Sequence, residues 1–274
     1  MRDGEFELVT LKSGSRAVRH LGHGEIMHPA GGPWTEANRL YIEQADLATR
    51  LSLSSAPICI FDVGLGAATN AVAALTCAQQ VGGALEVHSF ERDLAPLRLA
   101  LADPEGFPFL IPFHDAARTL MEKGEWHHGP LHWFLHHGEL LECLPHAPHT
   151  AELIFYDPFS PKHNASLWTP EAFALLRKNC CAAAAGALLF TYSASTAMRV
   201  SLLLGGFFVG VGFSTGTKGE TTVAATQKAA LRKPLSERWL ARWERSSTRA
   251  PIGSQALLPE HEAALRAHSQ FAQQ

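Results

Sequence analysis

The 274-residue sequence is short of paired cysteines, of charge of one sign and of long apolar runs. Its five cysteines, Cys59, Cys77, Cys143, Cys180 and Cys181, are odd in number and show no Cys-x-x-Cys spacing. That argues against a disulfide framework or a cysteine zinc site and fits a reduced, cytoplasmic setting. A formal net charge of −3 excludes a strongly basic nucleic-acid coat, so any polyanion has to meet a local patch. The first seven residues contain no apolar signal core. The most apolar stretch, Val200 to Phe213, is broken by Gly205, Gly206, Gly210 and Gly212. It falls short of the roughly 20 apolar residues of a membrane span. Charged residues make up only 18 % against 46 % hydrophobic, which excludes a disordered chain or a coiled coil and allows a sizeable core.

What is present is an alternation of strand and helix patterns. Residues 1–56 read as an N-terminal segment, with a strand at Phe6 to Leu11 and a helix from Trp34 to Leu53 capped by Thr35. Residues 57–227 read as the core. Ile58 to Val63 is a continuous apolar run of the kind buried on both faces of a parallel sheet. A helix over Thr69–Gln80, a strand over Ala84–Phe90 and helices over Asp93–Leu101 and His114–Glu125 follow. Further strands are expected at Leu131–His136, Leu153–Tyr156 and Gly186–Tyr192, with helices at Pro170–Lys178 and Ser195–Leu204. Phe207–Phe213 and Thr221–Thr226 suit an antiparallel closing hairpin. The class is therefore α/β, doubly wound and mostly parallel. Residues 228–274 read as a helical tail. Its first part carries Lys228, Arg232, Lys233, Arg238, Arg242, Arg245 and Arg249 against Glu237 and Glu244, a solvated face or a phosphate-binding patch.

Asp62-Val-Gly64-Leu-Gly66-Ala-Ala68 lies between a strand and a helix. Its glycines let a ligand approach the backbone, and the helix start offers free N–H groups. The third glycine of a dinucleotide loop would fall on Thr69, so the pattern suits S-adenosyl-L-methionine, which has no pyrophosphate, better than a dinucleotide. Glu91, at the end of the next strand, is placed to accept two ribose hydroxyls. Glu139, after Gly138, is placed to accept an adenine amino group. Asp157-Pro-Phe159-Ser-Pro follows another strand, where doubly wound folds bind ligands, and its prolines stiffen the loop. Asp157 there can hold an amine and take its proton, beside the aromatic wall of Phe159. Histidines crowd residues 114–149, but Pro130 separates His128 from His132 and no cysteine or carboxylate completes a set at usual spacing, so no metal is expected. Cys180 and Cys181 read as core on an apolar helix.

These segments together resemble one family. Asp62 to Asn70, Phe90-Glu91-Arg92, Gly138-Glu139 and above all Tyr156 to Thr169 are similar to the tRNA 5-methylaminomethyl-2-thiouridine-forming methyltransferases, the amino-terminal half of a bifunctional bacterial enzyme. The family's strand-end pattern Asp-x-Phe-[Ala/Ser]-Pro-x-x-Asn-Pro-x-x-Trp is matched by Asp157, Phe159, Ser160, Pro161, Asn164 and Trp168. The resemblance covers roughly residues 5–227. It implies a Rossmann-like class I methyltransferase that uses S-adenosyl-L-methionine to N-methylate an aminomethyl group on the wobble uridine of tRNA. It implies Asp62, Gly64, Gly66, Glu91 and Glu139 at the cofactor, and Asp157 and Phe159 at the reacting amine. Lys162, Trp168 and Lys218 are candidates for the nucleic acid, with Arg39 as a further cation and Trp34 as a further stacking ring. The chain departs from the family at Glu139 (usually aspartate), Ala68 (usually glycine) and Lys218-Gly219 (usually Lys-Arg). A small-molecule amine methyltransferase, an aminopropyltransferase and an inactive cofactor-binding module are the other readings.

Overall fold

The structure, a computed structural model, describes residues 1–27, 31–180, 186–214 and 219–272. Three short antiparallel strands open the chain: β1 (Arg2–Asp3), β2 (Phe6–Thr10) and β3 (Arg16–His20). The stripe read as one helix from Trp34 to Leu53 is divided into α1 (Pro33–Ala37), a π-helical stretch (Asn38–Glu43) and α2 (Leu47–Leu53). Asp46, with φ at 53°, turns the chain left-handed between them. Thr35 is not the cap expected of it. Pro33 occupies the first turn, where its missing N–H costs nothing, and the cap position falls on Gly32.

The core follows as β4 (Ile58–Val63), α3 (Thr69–Val81), β5 (Leu85–Glu91), α4 (Ala95–Leu101), a 3-10 stretch (Pro108–Phe113), α5 (His114–Lys123), β6 (Glu125–His128), β7 (Leu131–His137), α6 (Leu140–Cys143) and β8 (Leu153–Tyr156). Then come α7 (Pro170–Lys178), β9 (Leu188–Thr191), α8 (Thr196–Leu204), β10 (Phe208–Val211), β11 (Thr222–Ala225), α9 (Glu237–Trp243) and α10 (Pro259–Arg266). The strands form one eight-stranded sheet in the order β10-β11-β9-β8-β4-β5-β7-β6. The five strands from β9 to β7 are parallel, and β11 enters antiparallel between β10 and β9 as the closing hairpin predicts. This is the doubly wound, Rossmann-like architecture.

Every residue of β4 is buried, which accounts for its unbroken apolar run. On one side of the sheet the alanines of α3 (Ala71, Ala73, Ala74 and Ala78) are fully buried and let that helix lie close to β5 and β7. The chain leaves β4 toward β5 and later returns to its other side with β8. That reversal opens a crevice at the strands' carboxyl ends.

β6 was not expected from the sequence; Glu125-Trp-His-His pairs antiparallel with β7 across a Gly129-Pro130 turn. Cys180 lies beyond α7, bridged to Ala151 rather than on a helix, and Cys181 falls outside the described residues. The tail buries Trp239, Trp243, Leu265 and Phe271 in the apolar cluster that also holds residues of α7 and α8. The side chain of Gln270 bonds both backbone groups of Val209, accepting at 2.7 Å and donating at 2.7 Å, on the edge strand β10. Among the described residues no helix is long and apolar enough to cross a membrane.

Candidate active site

β4 delivers Val63 into a tight loop. Gly64 has φ at 87°, and a Cβ there would sit 2.8 Å from the carbonyl oxygen of Asp157. Only glycine lets the loops after β4 and β8 approach this closely. The Gly66 N–H donates to Glu91 at 3.0 Å, and the other Glu91 oxygen accepts from the N–H groups of Arg92 (2.9 Å) and Asp93 (3.0 Å). Burial nevertheless raises the Glu91 pKa above the ordinary glutamate value, against the three N–H donors that lower it. Ala68 starts α3 with φ at 61°, a left-handed conformation that glycine adopts without cost. Glu139 stands just before α6, half-exposed, and its side chain accepts from Arg92 at 3.2 Å.

Asp62 does not reach this cavity, contrary to its expected place at the cofactor. It is fully buried and accepts from Ser89 Oγ at 2.8 Å, which in turn accepts the Trp133 indole N–H at 2.9 Å. Its carboxylate therefore ties β4, β5 and β7 together behind the loop, and Val63 lines the cavity instead.

Asp157 follows β8 and accepts a hydrogen bond from the Asn70 amide, in the first turn of α3, at 2.8 Å. Tyr41, projecting from the π-helical stretch, lies within its influence. Burial first, and then the Asp157 carboxylate, push the Tyr41 hydroxyl far above the usual tyrosine range, so it stays protonated. Tyr192, at the end of β9, donates to the Pro158 carbonyl at 3.1 Å. The loop is fastened from outside as well: Ser160 donates through its N–H (3.1 Å) and hydroxyl (2.9 Å) to the two oxygens of Glu25. The Phe159 ring lies edge-on to His20 and His23, at 5.8 and 5.1 Å.

Trp168 is not available for base stacking. It is 0 % exposed, its indole N–H donates to the Phe159 carbonyl at 2.9 Å, and its ring packs edge-on against Tyr156 at 5.2 Å. The pattern residue thus props the Asp157 loop. Trp34 stacks on Phe109 at 5.2 Å and does not line the cavity. Lys162 is exposed beyond the loop, Arg39 donates to the Ser214 carbonyl at 2.7 Å, and Lys218 lies outside the described residues.

These groups enclose a cavity of about 440 Å3, lined by Gly64, Gly66, Glu91, Glu139, Asp157 and Phe159 of the expected residues. Among the described residues its lining holds seven carboxylates and one guanidinium, that of Arg92. Glu5, Glu25 and Glu36 join Asp157 there, and no lysine or arginine stands among them. Sequence reasoning gave no role to Asn70, Tyr41, Tyr192, Glu25 or Glu36. Asn70 and Tyr192 occupy strand-end and helix-start positions where such groups gather; Tyr41 carried no local signal. The glycine cradle, whose Gly64 Cβ position is filled by the neighbouring loop, and the Glu91 carboxylate at the strand end fit the nucleoside of S-adenosyl-L-methionine.

Comparison with known proteins agrees with this geometry. A family model described as S-adenosyl-L-methionine-dependent methyltransferase matches residues 119–227. The tRNA 5-methylaminomethyl-2-thiouridine biosynthesis bifunctional protein MnmC of Methylibium petroleiphilum is 26 % identical over 240 residues, covering 84 % of this chain and 36 % of that protein. Its namesake in Pseudomonas aeruginosa is 30 % identical over 199 residues, covering 69 % and 29 %. The chain thus spans about a third of the length of these curated relatives. The crystal structure of MNMC2 from Aquifex aeolicus matches with a TM-score of 0.75 at 25 % identity, over 96 % of this chain and 84 % of that one. Fold, cavity and relatives together make the chain an S-adenosyl-L-methionine-dependent methyltransferase that is similar to the MnmC proteins.

Proposed function

We propose that the chain N-methylates an aminomethyl group on the wobble uridine of tRNA. The observation that carries this reading is Asp157, aimed from a strand end into a cavity whose acceptor side holds carboxylates and no lysine or arginine. Such a surface attracts a protonated aliphatic amine and repels an anionic acceptor. Gly64, Gly66, Glu91 and Glu139 hold the cofactor, which when bound supplies an electrophilic methyl group. Asn70 fixes one oxygen of Asp157, so the carboxylate meets the amine in a set orientation. Asp157 takes a proton from the ammonium and leaves a nitrogen lone pair to attack. Phe159 and the Glu25-anchored loop keep the amine in line and exclude water, and alignment provides most of the acceleration.

The nucleic-acid part rests on the names of the relatives and on the tail. Arg232, Lys233, Arg238, Arg242, Arg245 and Arg249 are all exposed and form no ion pair among the described residues, as phosphate contacts require. A tRNA substrate places the reaction in the cytoplasm.

The test is methyl transfer from labelled S-adenosyl-L-methionine to tRNA carrying an aminomethyl wobble uridine, read after digestion to nucleosides. Spermidine and ethanolamine serve as competing acceptors. Label in the methylaminomethyl nucleoside supports the proposal. Label in the small amines alone, or none with cofactor bound, overturns it.

A further inference from the structure

The histidine-rich part of the chain is absorbed neither by the cofactor nor by the acceptor side of the cavity. In the sheet its residues meet partners from other strands. Cys59 of β4 is the register partner of Glu86 of β5, Glu86 that of His132 of β7, and His132 that of His127 of β6. Four side chains of metal-ligating type therefore form one row across four strands on a single sheet face. His88 lies two residues beyond Glu86 and so shares that face. The Cys59 sulfur, a Glu86 carboxylate oxygen and a His88 ring nitrogen all lie within 4.8 Å of one another. None of the three lines the methyltransferase cavity.

We propose that Cys59, Glu86 and His88 form a site for a zinc-type divalent cation, separate from the methyltransferase cavity. Thiolate, imidazole and carboxylate together suit zinc, whereas magnesium and calcium prefer oxygen alone. Zinc draws nitrogen and oxygen ligands to about 2.0–2.2 Å and sulfur to about 2.3 Å, so the side chains close inward around it. His88 Nε2 stands 2.6 Å from Glu86 Oε1, and that shared proton is what the cation displaces. The opposite ring nitrogen, Nδ1, is 2.9 Å from His136 Nε2. A ring held from behind in this way presents its other nitrogen in a fixed direction, as outer partners of metal-bound histidines do. Glu86 is only partly buried and gives the cation a path from solvent, while Cys59 and His88 are buried. Water fills the fourth position, with His132 opposite Glu86. Binding releases the thiol proton of Cys59 and clamps β4 to β5 below the loops that hold the cofactor.

The test uses the full chain, stripped with chelator and titrated with Co2+ and then Zn2+. The expected result is one Co2+ per chain with a thiolate-to-cobalt charge-transfer band, displaced by Zn2+, and a melting temperature that rises with stoichiometric Zn2+. Cys59→Ser abolishes the band. His136→Gln leaves the band but weakens affinity about 10–100-fold, the range for outer partners. A wild-type protein without the band, or a band that survives in Cys59→Ser, overturns the proposal and leaves a partly buried Glu86–His88 pair beside a core thiol. Should Cys59→Ser fail to fold, His88→Gln decides: an unchanged band and Zn2+ affinity overturn the site. No arm depends on methyl transfer, so the result stands apart from the proposed substrate.

Discussion

The two sides of the cavity are built in different ways. The proposed cofactor side comes mainly from two short segments, residues 63–66 and 90–93, at the ends of adjacent strands, which hold each other through Glu91, with Glu139 beside them. The acceptor side is gathered from Glu5, Glu25, Glu36, Tyr41, Asn70, Asp157 and Tyr192, spread over most of the chain. The first is a local device that many sequences can carry. The second exists only when the N-terminal segment docks on the loop after β8. Donor recognition is therefore separable from acceptor recognition, and substitutions should divide along that line.

The largest effect is expected at Asp157. Asp157→Asn keeps the size of the side chain and its place beside Asn70 but removes the base; turnover should fall about 10^2–10^4-fold. Calorimetry should show S-adenosyl-L-methionine affinity nearly unchanged. A matching loss of affinity would mean that the two sides are one unit. Glu91→Ala should do the reverse. Hydrogen bonds to a charged acceptor contribute about 1.5–3 kcal/mol each, so the dissociation constant should rise about 10–100-fold or more, with turnover at saturation largely kept. Glu91 also gives a pH signature. Its pKa is raised, so as pH falls the carboxylate protonates at a pH above the ordinary glutamate value and would no longer accept the ribose hydroxyls proposed for it. Affinity should therefore decline toward acid pH, by up to about tenfold per unit, and Glu91→Gln should flatten the profile.

Charge reversal on the tail probes the acceptor side alone. Arg242→Glu and Arg245→Glu should weaken tRNA binding without altering cofactor binding. The slope of log affinity against log salt should drop by about 0.7–0.9 for each phosphate that is no longer neutralised. The smallest effect is expected at Ala68. Its left-handed backbone costs about 1–2 kcal/mol, and glycine returns about 0.5–1 kcal/mol of that as unfolded-state freedom. Ala68→Gly should stabilise by about 0.5–1 kcal/mol in denaturant unfolding. A fall in stability would show that the alanine methyl, fully buried in the apolar cluster, contributes more than the strain removes.

Legibility followed the same division. The strand-loop-helix of β4 and α3, and the place of Glu91 and Asp157 in the cavity lining, could be read because a parallel sheet opens its crevice at strand ends, a position that sequence order reveals. Asp62 was misplaced because motif reading ignores strand alternation: its neighbour Val63 faces the cavity while Asp62 bonds Ser89 within the sheet. Trp168 was misplaced because a tryptophan near a site can brace a loop as readily as stack on a base. Tyr41 was hidden by the conversion of one apolar stripe into α1, a π-helical stretch and α2, which no heptad count anticipates. The group of Cys59, Glu86 and His88 escaped a search by spacing because strand register, not sequence distance, brings Cys59 beside the other two.

The bond between Gln270 and Val209 has a consequence for how this protein meets others. β10 is the outermost strand of its sheet, and an open strand invites pairing with another chain. One primary amide meets both hydrogen-bonding groups of Val209, and its donor is shared with the Leu235 carbonyl at 3.0 Å. That edge is guarded against self-association by the tail as a whole: Val211 donates to the Lys233 carbonyl and Leu235 to the Val209 carbonyl, both at 2.9 Å, with Pro234 bridged to Gly210 and the Gln270 amide added at Val209. The same region buries Trp239, Trp243, Leu265 and Phe271 beside α7 and α8, so shortening it would open a sheet edge and an apolar surface together and leave the protein prone to grow its sheet into a neighbour.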